Sequence, residues 1–136
     1  MPLLEFTVDG PPISSQAKDK TSLNTWKQAI RSEAARNWGT QPPLTGKLKC
    51  TIINFHEGEE PSLDDDNMVK PIRDALNRLV YMDDSQIIYS ETIQVSIDAP
   101  IKIRKASAVL LAGYNKGDQF VYVRIEHAPA FLQLPQ

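Results

Sequence analysis

The chain reads as an α/β (α+β) protein, a single domain with a mixed β-sheet flanked by helices. Three observations predict this. Apolar and polar residues alternate in four separate segments, as they do in half-buried strands. Two other segments repeat apolar residues at helical spacing. The two kinds of segment interleave along 136 residues, a length suited to one domain with its own core.

The elements follow in order. Leu4, Phe6 and Val8 alternate with Glu5 and Thr7 in a first strand, and Asp9-Gly10-Pro11-Pro12 stops it. The polar stretch Ile13–Thr21, with Lys18 and Lys20, reads as a mobile loop. Leu23, Trp26, Ile30, Ala34 and Trp38 then form a helical stripe that ends at Gly39, with Ser22 or Asn24 as its cap. Gly46 opens a second strand, in which Leu48, Cys50 and Ile52 share a face. Toward its end Ile53 and Phe55 lie on the other face and Asn54 joins the first. Both faces are therefore expected to be covered, which places this strand inside the sheet.

An acidic loop, Glu57–Asp66, leads to a helix expected over about Met68–Val80, with Val69, Ile72, Leu76 and Leu79 as its buried stripe. Pro71 is tolerated only near its N-terminal end, so the helix begins just after the aspartates and Asp66 or Asn67 caps it. Ile87, Tyr89, Ile93, Val95 and Ile97 mark a third strand. In Ile101–Tyr114 a short helix over Ser107–Gly113 competes with strand-like alternation at Lys102-Ile103-Arg104, and the helix is taken. Asn115-Lys116-Gly117-Asp118 is a turn, and Phe120–Glu126 is a last strand rich in β-formers. Residues 129–136 read as a loose tail on a domain spanning 1–136.

Composition narrows the function. No apolar run is long enough to cross a membrane, and the N-terminus lacks the pattern of a secretory signal. The lone Cys50 can form no internal disulfide, so a cytoplasmic setting is expected. Cys50 lies on an apolar strand face and reads as a small buried hydrophobe. His56 and His127 have no metal-ligand spacing, no glycine-rich phosphate loop exists, and the serines lack a nucleophile motif. The net charge of −2 is unevenly spread. Glu57–Asp84 holds nine acids and three bases, a net of −6, while the rest holds twelve bases and eight acids, a net of +4.

The chemistry concentrates where the acids do. Asp64, Asp65 and Asp66 stand together, and Asp83-Asp84 follows the next helix. Such carboxylates repel one another unless a cation sits among them, and Mg²⁺ is the simplest resident. Taken alone, the run also suits a solvated acidic helix start. An EF-hand is a worse fit, because Val69 stands where that loop needs glycine. Alternation along an extended loop puts Asp64 and Asp66 on one side and Asp65 on the other. Lys70, about one helical turn after Asp66, could hold a phosphate oxygen, and Asp74 could pair with Lys70 or Arg78. Asn67 could fix the loop. Asp84 reaches Asp64 and Asp66 only if the chain turns back after Val80.

Asp64-x-Asp66-Asn67-x-x-Lys70, then Asp74-Ala75-Leu76-Asn77, then Tyr81-Met82-Asp83-Asp84-Ser85-Gln86-Ile87, resembles the RusA family of Holliday junction resolvases. The resemblance implies a Mg²⁺-dependent endodeoxyribonuclease, with Mn²⁺ as a substitute ion. It implies a homodimer that resolves four-way DNA junctions by paired cuts in recombination and repair. By position, Asp64, Asp66 and Asp84 would be catalytic metal-binding carboxylates, with Asp83 as second choice, and Lys70 the essential lysine. Asn67 and Asp74 would be structural neighbours. Lys18, Lys20, Lys102, Arg104 and Lys105 are candidates for DNA contact. The alternatives are a metal-dependent nuclease acting on flaps, branches or single strands, and a module that binds metal or nucleic acid without cutting.

Overall fold

A computed structural model describes residues 2–59, 61, 63–101, 105–132 and 134–135. The elements are β1 (Leu4–Asp9), α1 (Lys20–Trp38), β2 (Leu48–His56), α2 (Asp65–Ala75), β3 (Ile87–Ser96), α3 (Ala108–Asn115) and β4 (Phe120–His127). A 3₁₀ turn at Asp84–Gln86 leads into β3. The four strands form one mixed sheet in the order β1-β4-β2-β3. β2 and β3 run parallel, and α2 is the crossover between them. β4 is antiparallel to both of its neighbours, β1 and β2. β2 is an inner strand, as the apolar residues on both of its faces predict.

Strand alternation sorts the side chains into two layers. Leu4, Phe6, Val8, Leu48, Cys50, Ile52, Val121, Val123 and Ile125 point to one face. There they meet the α1 stripe of Trp26, Ile30, Ala34 and Trp38 and the α2 residues Met68, Val69, Ile72 and Ala75. Both tryptophans are core residues, as their spacing predicts. Burying each such aliphatic side chain contributes roughly 1.5–3 kcal/mol. On the other face α3 packs over Phe55, Phe120 and Tyr122, with the Phe55 and Phe120 rings stacked 4.5 Å apart. Gly113 sets that approach. A Cβ there would lie 2.7 Å from the Phe120 ring, so any larger residue would push α3 off the sheet.

Several expected boundaries move. Helix α1 begins at Lys20 rather than near Leu23, because Asp19 accepts from the Thr21 and Ser22 amides and displaces Ser22 and Asn24 as cap. Helix α2 begins three residues earlier than expected, with Asp64 rather than Asp66 or Asn67 in the cap position. It also ends five residues sooner, at Ala75. Side chains from elsewhere take its last carbonyls. The Arg31 guanidinium donates to Ala75 O and Asn77 O at 2.9 Å each, and the Tyr81 hydroxyl donates to Arg73 O at 2.6 Å. Arg78 then adopts a φ of 65°, which breaks helical continuation. The segment expected to be a mobile loop is fastened: the Ser15 amide donates to Asn67 O at 2.9 Å.

Candidate active site

The acidic turn is built by the start of α2. Asp64 holds the cap position in extended conformation, and its carbonyl accepts from Met68 N–H at 3.0 Å. Its carboxylate makes no capping bond. Asp65 and Asp66 occupy the first turn, where the partial positive charge of the helix end favours them. All three side chains are exposed, and with Pro61, Leu63 and Gln94 they line one open hollow.

The three are not equivalent. The Gln94 Nε2 amide donates to Asp65 Oδ1 at 2.7 Å and to Leu63 O at 3.1 Å. The other end of that amide is held from beneath, because the Asn54 side chain donates to Gln94 Oε1 at 3.0 Å. Asn54 is buried at 1% exposure and paired with Gln94 across the β2–β3 ladder. Asp65 is therefore tied to the sheet, while no donor among the described residues pairs with the carboxylates of Asp64 and Asp66. The expected alternation needs an extended loop, but Asp65 and Asp66 are already helical; Asp65 differs here because a sheet-borne amide holds it. Neither Gln94 nor the role of Asn54 was expected. The available signal was Asn54 itself, a polar residue on the apolar face of β2.

Asn67 fastens the loop after β1, through the Ser15 side chain, in place of the backbone bond within the acidic loop that was expected. Its Oδ1 accepts from the Ser15 hydroxyl at 3.2 Å, and its carbonyl takes the Ser15 amide. Lys70 turns to Asp74 at 3.3 Å, one of the two pairings expected for Asp74. The Lys70 side chain is 67% exposed, so it stands available on the outer surface of α2.

The chain does turn back after Val80. Arg73, two turns after Asp66 and on nearly the same flank of α2, donates from Nη2 to Asp84 O at 3.0 Å. That contact holds the Asp84 backbone to the Arg73 side chain of the second half of α2. Asp83 and Asp84 differ in the same way as Asp65 and Asp66. Asp83 caps the 3₁₀ turn: its Oδ2 accepts from Ser85 N–H at 2.9 Å, and Gln86 Oε1 accepts from Asp83 N–H in return. The bonds to Ser85, from side chain and backbone, hold the Asp83 carboxyl below its ordinary value of 3.8. The Asp84 carboxylate has no donor among the described residues.

Among the described residues no group of three or more His, Cys, Asp and Glu side chains could hold a metal ion. Asp84 is thus not gathered with Asp64 and Asp66 in a ready three-carboxylate cradle. The donor set still fits a hard cation of the Mg²⁺ kind. Such an ion is typically held by one or two carboxylates and completed by waters and substrate phosphate, and Asp64 and Asp66 offer two unengaged carboxylates on one open hollow.

The basic candidates divide. Lys18 and Lys20 are exposed on the loop and helix start that Ser15 fastens to α2, close to the acidic turn in the fold. Lys105 is exposed at the opposite face of the sheet, in a hollow that also holds Ile53, Phe55 and Tyr122. Lys102 and Arg104 lie outside the described residues. Cys50 is fully buried, and burial pushes its thiol up to about 12. His56 is buried and His127 is exposed.

Scaffold and site define a class: a mixed α/β domain that presents unengaged carboxylates at the start of its crossover helix. The family model described as Endodeoxyribonuclease RusA matches residues 11–105, which include the whole acidic constellation. The chain belongs to that family of DNA-cutting enzymes. Comparison with curated proteins gives no match. Among the described residues no helix is long and apolar enough to cross a membrane.

Proposed function

We propose that this protein is a Mg²⁺-dependent endodeoxyribonuclease that resolves four-way DNA junctions as a homodimer, in recombination and repair. The observation that carries the reading is the selective release of Asp64 and Asp66. Their neighbour Asp65 is tied down by Gln94, while these two line an open hollow with no donor to either carboxylate among the described residues. Membership of the endodeoxyribonuclease family supports DNA as the substrate. The catalytic unit reaches beyond the matched residues to β4, because β4 lies inside the sheet that carries β2 and β3.

Asp64 and Asp66 would hold the cation, with Mn²⁺ able to replace Mg²⁺. Asp84 would join them as third carboxylate. Its carboxylate makes no capping bond, unlike that of Asp83, and its backbone carbonyl is held by Arg73, two turns after Asp66 on α2. The ion, when bound, supplies an acidified water and charge neutralisation at the phosphate. The protein's own groups do the rest. Lys70 leaves Asp74 to meet a non-bridging phosphate oxygen and stabilise the charge that develops there. Lys18 and Lys20 hold the flanking backbone, a contact weakened by salt. A two-fold dimer would set two such centres against a two-fold junction and give paired cuts.

The test is Asp66→Asn assayed on labelled four-way junction, flap, single-stranded and plain duplex DNA. The reading expects junction cutting by the wild type, loss of at least about 100-fold in the variant, and unchanged gel-shift affinity for the junction. Equal cutting of junction and plain duplex by the wild type removes the resolvase assignment. Unchanged cutting by Asp66→Asn removes the metal assignment.

A further inference from the structure

We infer that Gln94 is the positioning residue of the acidic turn. One side-chain amide on β3 makes three bonds at once: to Asp65 Oδ1 at 2.7 Å, to Leu63 O at 3.1 Å, and from Asn54 Nδ2 at 3.0 Å. An amide has a donor end and an acceptor end, and the acidic turn fixes which is which. Leu63 O and the Asp65 carboxylate can only accept, so Nε2 must face them, and Oε1 is left to take the Asn54 N–H. The two Nε2 hydrogens then reach the last carbonyl before the cap residue and the middle carboxylate. That pair of contacts sets the rotation of the first turn of α2 about its own axis. Asp65 is held toward β3 by its bond to Gln94; it lines the same hollow as Asp64 and Asp66, whose carboxylates have no donor among the described residues. A neutral donor suits this task better than a cation. Lysine or arginine here would pair with Asp64 or Asp66 as readily as with Asp65, and would compete with a bound ion.

The Gln94 amide gives Asp65 one charge-assisted hydrogen bond within the run of three acids. Asn54 Oδ1 is buried without a partner, so the relay is held although it leaves one polar atom unsatisfied.

The inference rests on the proposed metal assignment for its Mn²⁺ arm and on the nuclease reading for its activity arm, and the Met68 exchange arm stands on the fold alone. Three variants, Gln94→Leu, Gln94→Glu and the exchange pair Gln94→Glu with Asp65→Asn, are compared with the wild type in three measurements. The first is hydrogen exchange at the Met68 amide, which closes the turn onto Asp64 O at 3.0 Å. The second is Mn²⁺ affinity in the absence of DNA. The third is kcat and KM for junction cutting. Gln94→Leu is expected to speed Met68 exchange and to weaken Mn²⁺ roughly tenfold, as loss of an outer-shell partner does. It is expected to lower kcat with little change in KM. Gln94→Glu sets two carboxylates together and should be worse. The exchange pair restores one bond with the donor reversed, from Asn at 65 to Glu at 94, and should recover much of the Mn²⁺ affinity. Met68 exchange and Mn²⁺ affinity at wild-type values in Gln94→Leu would overturn the inference, whatever the cutting assay reads. If those two measurements move as expected and the wild type cuts no DNA, the positioning role stands and the nuclease reading falls.

Discussion

The Ser15 amide N–H donates to the carbonyl of Asn67 at 2.9 Å, and Pro71 is why that carbonyl is available. In an uninterrupted helix the amide four residues on would take it. Residue 71 is proline and has no N–H. The loop after β1 supplies the missing donor and adds a second bond from the Ser15 hydroxyl to Asn67 Oδ1 at 3.2 Å. A break inside α2 thus becomes the attachment point for the segment that carries Lys18.

The two Ser15 bonds can be separated by substitution. Ser15→Ala removes the hydroxyl bond alone and should cost about 0.5–1.5 kcal/mol. Ser15→Pro removes the amide donor, leaves Asn67 O unsatisfied, and should cost about 1–3 kcal/mol. Urea unfolding measures both. The proline variant proving no worse than the alanine variant would show that the backbone bond does not hold the loop.

The acidic pair before β3 should divide by role. Asp84→Asn is expected to lower junction cutting at least about 100-fold with little change in stability. Asp83→Ala is expected to lower stability while leaving kcat near the wild-type value, since Asp83 caps the turn. The folded state holds the Asp83 carboxyl below its ordinary 3.8, by its bonds to Ser85. Its contribution is therefore complete above that pH and fades as the pH falls through the lower folded value. The stability gap between wild type and Asp83→Ala should narrow below pH 3.8. A gap of constant size down the acid limb would contradict the cap.

Lys70→Ala should act on turnover. The Lys70–Asp74 pair is one helical turn apart with the lysine mostly exposed, so breaking it costs no more than about 0.5 kcal/mol. A fall in kcat of roughly 10²-fold with KM held is the expected kinetic signature of a transition-state contact. A rise in KM at constant kcat would instead assign Lys70 to DNA binding alone.

Cys50 should be silent in the native protein. It is buried on the α1–α2 face, and desolvation raises its thiol to about 12. An aromatic disulfide reagent at pH 8 should titrate no thiol in the folded state and one thiol in denaturant. Because the unfolded thiol ionises near 9.0, raising the pH from there toward 12 favours the unfolded chain. Prompt native-state labelling would mean that the sheet opens far more readily than its packing implies.

The fold was legible where local periodicity carries it. The alternation in β1 and β2 and the α1 stripe fell on the observed elements because core burial decides them. β4 formed where β-formers cluster, and β3 formed where expected although Ile93 is exposed and a register shift interrupts its alternation. The ends of α2 were not legible, for opposite reasons. Its first turn is made of aspartates, which carry no apolar signal. Its last turn is truncated by Arg31 and Tyr81, which meet it only in the folded chain. The unequal roles of the neighbouring acids could be half read. Alternation singled out Asp65, but the Gln94 amide that holds it lies 29 positions away. The sequence already ranked Asp84 above Asp83 through the resemblance; that Asp83 caps a 3₁₀ turn was not legible. The position of β4 in the sheet has no local signature at all.

That position has a bearing on synthesis. A ribosome releases β4 after the other three strands, yet among the described residues β1 has no strand neighbour except β4. Until residues near His127 clear the exit tunnel, the nascent polypeptide carries a βαβ unit and a stranded N-terminal ribbon with nothing to pair with. Chaperone capture is expected to concentrate in that interval. A premature stop before Phe120 would therefore abolish the protein instead of merely shortening it.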